Sequence, residues 1–68
     1  MTNDKTTQLL VSLAQLHKSI DASVEENFGY SPSGYVWFDN MIIRVSELED
    51  ALRTHDKDAY LSYSDKYY

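Results

Sequence analysis

Apolar residues recur along the first third of the chain at Leu9, Leu13, Leu16, Ile20 and Val24, spaced four, three, four and four residues apart. At about 100° per residue these positions keep to one face of a helix. Leu10, His17 and Phe28 fall on the edge of the stripe, whereas Lys18 and Glu25 point away from it. Thr2 to Asp4 forms a polar lead-in rich in capping residues. The pattern predicts a helix over about residues 4–27.

The stretch FGYSPSGY interrupts this periodicity. Gly29 suits a helix stop. Ser31 followed by Pro32 reads as an N-cap with proline at the first helical position, and Gly34 shifts the alternative start to Tyr35. A second stripe follows at Phe38, Met41, Ile42, Val45, Leu48 and Leu52, with Trp37 at its margin. Asp39, Asn40, Glu47 and Asp50 lie away from it. The second helix is expected from Pro32 or Tyr35 to Arg53. His55 then ends that helix or lies in the loop, and Asp56 is the expected N-cap of a third helix. Tyr60, Tyr63 and Tyr67 recur there at spacings of three and four, on one face. Tyrosine also favours strands, but Asp56, Asp58 and Ala59 make a good helix start. The expected fold class is all-α, a helical hairpin plus a shorter C-terminal helix. This is a three-helix bundle or half of a symmetric oligomeric bundle, in one small domain spanning 1–68.

Size makes this architecture marginal. A 68-residue chain buries only about 60% of the surface its unfolded form exposes, and its core supplies roughly 3–5 kcal/mol. The chain has no cysteine, so neither disulfides nor thiolate metal sites can staple it. Association with itself or with another protein is the remaining staple. No secretory signal pattern and no run of ~20 apolar residues is visible. The expectation is a soluble cytoplasmic chain with no membrane contact.

Charge narrows the partner. The net charge is −5. Residues 21–68 carry ten of the acids against Arg44, Arg53, Lys57 and Lys66. The basic footprint of a nucleic-acid binder is missing, so no direct nucleic-acid binding is expected. An acidic surface suits a basic protein partner instead.

Catalytic signatures are lacking. No serine sits in a glycine-rich elbow, and Gly29 and Gly34 are the only glycines, so no phosphate loop exists. Glu47, Glu49 and Asp50 are expected to be exposed carboxylates. His17, Asp21 and Glu25 recur every four residues, but Asp21 and Glu25 drift toward solvent, and metal ligation needs more. No enzyme activity and no cofactor are expected, and His17 is expected as a part-buried edge residue.

Two features remain. Tyr60, Tyr63 and Tyr67 are expected to cover the hairpin with their hydroxyls at the wet rim, while Leu61 and Tyr68 fall on a different side. Val11 lies opposite the first stripe, and Ile43 lies among Asp39, Glu47 and Asp50. An apolar residue ringed by acids has the anatomy of a small binding patch. The expected partner-binding residues are Asp39, Ile43, Glu47, Asp50, Tyr60, Leu61 and Tyr68. The expected role is a non-enzymatic protein-protein interaction module, an acidic adaptor or inhibitor. Its size and charge fit phage- or plasmid-encoded blockers that imitate DNA phosphates with carboxylates. The alternative is a homo-oligomeric bundle, such as a homodimer, with a structural or assembly role.

Overall fold

Three helices follow one another: α1 (Lys5–Glu26), α2 (Val36–His55) and α3 (Lys57–Tyr67). The computed structural model describes residues 4–68. Thr2 and Asn3 of the expected lead-in lie outside the described residues. Among those residues no strand occurs, and the architecture is a three-helix bundle: a hairpin with a shorter helix laid along it.

Each start has a local cause. The Asp4 carboxylate accepts the Thr7 N–H at 2.8 Å and caps α1. That bond holds its carboxyl below the ordinary value of 3.8. Asp56 caps α3 by accepting the Ala59 N–H at 3.1 Å, as expected. Its other oxygen accepts the Thr6 hydroxyl at 3.2 Å, which ties the start of α1 to the start of α3.

The hairpin turn corrects two expectations. α1 ends one residue before Gly29 would stop it. The Phe28 N–H reaches the Glu25 carbonyl at 3.1 Å, and the Gly29 N–H reaches the Val24 carbonyl at 2.9 Å. That is the Schellman pattern, with Phe28 in the left-handed slot that glycine usually fills. Its φ is 59°. Phe28 is therefore off the helix and 90% exposed, not on the edge of the first stripe. Ser31 and Pro32 do not start α2 either. Pro32 is buried in a turn whose carbonyl accepts the Tyr35 N–H at 3.3 Å. Gly34, at φ 97°, then reverses the chain, and α2 begins at Val36, close to the alternative start.

One core joins the helices. Leu9 and Leu13 of α1 meet Val45, Leu48 and Leu52 of α2 and Tyr63 of α3. Leu13 and Leu52 are wholly inaccessible. Leu16, Ile20, Tyr60 and Tyr67 pack around this centre. The helix α2 touches both others more extensively than α1 touches α3. Ile42 departs from the predicted stripe, being 46% exposed. It lies two turns before Glu49 on the same flank of α2. The 11 residues of α3 span only about 16 Å against about 30 Å for α2. Ile42 is beyond their reach.

Candidate interaction surface

The tyrosines of α3 resolve into two uses. Tyr63 is buried, and Tyr60 and Tyr67 are half-buried against the hairpin, as the packing reading expected. The Tyr67 ring stacks on His17 with centroids 4.2 Å apart. His17 is half-buried at the edge of α1, where it was expected.

A polar chain threads these rings. The Tyr63 hydroxyl donates to Glu49 Oε2 at 2.7 Å, and the Tyr68 hydroxyl donates to the same oxygen at 2.6 Å. With its proton committed to Glu49, the Tyr63 oxygen accepts from Nε2–H of His17. The order is imidazole, phenol, carboxylate, phenol, and it links all three helices. Burial first, and then the hydrogen bond to Glu49 and the charge on it, push the Tyr63 phenol well above its ordinary range. The bond to Glu49 raises the Tyr68 phenol as well. This corrects one expectation: Glu49 is half-buried and bonded to both tyrosines, not an open carboxylate beside Glu47 and Asp50. Its place on the seam side of α2, some 100° from Asp50, was the available signal.

The other expected residues scatter over α2 and α3. Ile43 and Leu61 stand 55% and 50% exposed. Glu47 is exposed and lies 3.7 Å from Arg44; Asp50 accepts from Arg53 at 2.7 Å. The Arg53 guanidinium also lies over the Tyr60 ring, 5.8 Å from its centroid. Asp50 and Tyr60 are thus joined through one arginine. Tyr68 is fixed by its hydroxyl, with 76% of its surface open. Asp39 is half-buried and accepts the Gly34 N–H at 3.3 Å. The structure brings Tyr60 and Tyr68 to the α2–α3 seam, leaves Ile43, Glu47 and Asp50 on the outer side of α2, where Arg44 and Arg53 pair with the two carboxylates, and turns Asp39 toward the hairpin loop.

A second exposed apolar surface was not anticipated. Phe28, Tyr30, Tyr35, Val36 and Trp37 cluster at the hairpin end, all between 53% and 90% exposed. The density of aromatics in FGYSPSGYVW was the signal; the glycines and proline drew attention to the turn instead.

Among the described residues no group of three or more histidine or carboxylate side chains is placed to hold a metal. No described helix is long and apolar enough to cross a membrane. Comparison with family models, with curated proteins and with solved structures finds no match to this chain.

Proposed function

We propose that the chain is a non-enzymatic interaction module that binds a basic protein surface through α2 and α3. The observation that carries the reading is Ile43, open to solvent on the outer side of α2 beside the ion pairs Glu47–Arg44 and Asp50–Arg53. An apolar contact with a charged rim gives a partner both burial and selectivity. Leu61 and Tyr68 offer further exposed apolar contacts at α3. The two phenols with raised pKa both donate to Glu49 across the α2–α3 seam, which favours a structural use over a catalytic one.

The partner class that fits is a nucleic-acid-handling protein whose phosphate-binding groove accepts these carboxylates. Immobilised chain exposed to lysate of its native host should retain such a protein at low salt. Washing at high salt or adding duplex DNA should release it, and Ile43→Ser with Leu61→Ser should prevent capture. Retention that ignores both salt and DNA sinks the mimicry. Exposed Val11 and Ile43 also favour a second reading, self-association. It predicts a melting temperature that falls on dilution, and an invariant one over a hundredfold range removes it.

A further inference from the structure

The hairpin end carries two local costs that folding alone does not require. Phe28 sits at φ 59°, a conformation that L residues with bulky side chains rarely adopt, although glycine stands one residue later. The strain places a phenyl ring almost wholly in water. Glu25 and Glu26 lie in the last turn of α1, with no basic residue there. The carbonyl end of a helix carries partial negative charge, so carboxylates there are unfavourable. Local strain retained at an exposed aromatic is the signature from which a functional site is inferred.

The charges indicate what would cover this end. Residues 19–43 contain Asp21, Glu25, Glu26 and Asp39 and no lysine, arginine or histidine. A second copy of the chain would bring acid against acid, and an anionic lipid surface would be repelled. An open cleft between the helix ends is lined by Ser23, Glu26, Asn27, Pro32, Tyr35 and Trp37. The Tyr35 and Trp37 rings stack beside it, centroids 6.0 Å apart. One carboxylate and two aromatic faces are the groups that recognise a guanidinium, by ion pairing and by cation–π contact.

We propose that the hairpin end is a docking site for an arginine-bearing segment of a basic protein. A guanidinium enters the cleft at Glu26 and stacks on Trp37 or Tyr35, and Phe28 and Tyr30 cover the neighbouring apolar residues. This site shares no residue with the outer α2–α3 surface, and either can fail without the other.

The chain's single tryptophan, Trp37, reports directly. A synthetic peptide alternating arginine and leucine, titrated at low salt up to about 1 mM, should shift Trp37 emission saturably. A peptide alternating glutamate and leucine should leave it unchanged. Phe28→Gly should weaken binding at least about fivefold while raising the melting temperature; a purely structural role moves both the other way or neither. Glu26→Gln should weaken binding with the fold intact. Four results would overturn the proposal: no emission change with the basic peptide, an equal response to the acidic one, a preference for phosphatidylcholine vesicles with or without phosphatidylserine, or a shift on concentrating the chain alone. Should Phe28→Gly and Glu26→Gln bind normally while Ile43→Ser does not, the peptide uses the outer face of α2, and only the hairpin-end site fails.

Discussion

At the scale of single residues, Phe28 and Leu52 sit at opposite extremes. Phe28 contributes little packing and holds a left-handed conformation. Phe28→Gly should therefore stabilise the fold by about 1 kcal/mol, and thermal unfolding followed by circular dichroism should register it. Each kcal/mol moves the midpoint by about 4–8 °C in a domain of this size. Leu52 is wholly enclosed, and Leu52→Ala leaves a cavity costing about 2–5 kcal/mol. That approaches the whole yield of so small a core. The variant should be largely unfolded at room temperature by the same measurement. Both residues obey the hydrophobic pattern of their segment, yet only one is inside. Periodicity marks the face of a helix; it does not mark the residue at which the helix ends, and Phe28 lies beyond the end of α1.

At the scale of elements, α3 depends on few groups. It offers one buried side chain, Tyr63, to the core. Around it lie the half-buried Tyr60 and Tyr67, the Tyr67–His17 stack, the chain from His17 through Tyr63 and Glu49 to Tyr68, and the double use of Asp56. Tyr63→Phe keeps the ring but strips His17 of its acceptor and leaves Glu49 with Tyr68 alone. Urea titration should show a loss of about 1–3 kcal/mol, since one of the two bonds ends on a carboxylate. Asp56→Ala should cost about 0.5–2 kcal/mol. The three helices were legible because each stripe has its own capping aspartate or glycine break. The start of α2 was less so: Ser31–Pro32 is equally good chemistry for a turn, and only burial of Pro32 in the hairpin decides between the two. Glu49 was misread because its position on α2 marks only the side it faces, and its cover comes from where Tyr63 and Tyr68 lie. The exposure of Ile43, Glu47 and Asp50, by contrast, could be read from α2 alone, because exposed residues need no neighbour to define them.

At the scale of the whole molecule, protonation sets the working range. The Tyr63 and Tyr68 phenols rise on folding, so the unfolded chain releases protons from about pH 10 that the folded chain keeps. Their stabilisation is intact below about pH 10 and drains away as pH climbs toward the raised folded values. Asp4 acts in the opposite sense. Its carboxyl is lowered, so its contribution is present above its ordinary value and lost as pH falls through the lowered one. Urea midpoints measured from neutral pH to pH 11 should be level and then decline, and Tyr63→Phe should flatten that decline. The excess of acids over cations adds a salt response: screening at 1 M, with a Debye length of about 3 Å, should weaken attachment to any basic partner.

The slenderness of the α3 attachment also has a kinetic consequence. A segment with one buried anchor opens without the rest of the fold following. In deuterium oxide, the amides of α3 should exchange well before those of residues 45–52 in α2. Each such excursion bares Leu10 and Ala14 of α1, which line a groove with Tyr63 and Tyr67, and uncovers Glu49 on α2. The native chain thus visits, for brief intervals, a two-helix form with an unsheltered apolar trough. Proteases that need a detached strand of backbone would meet it first along α3.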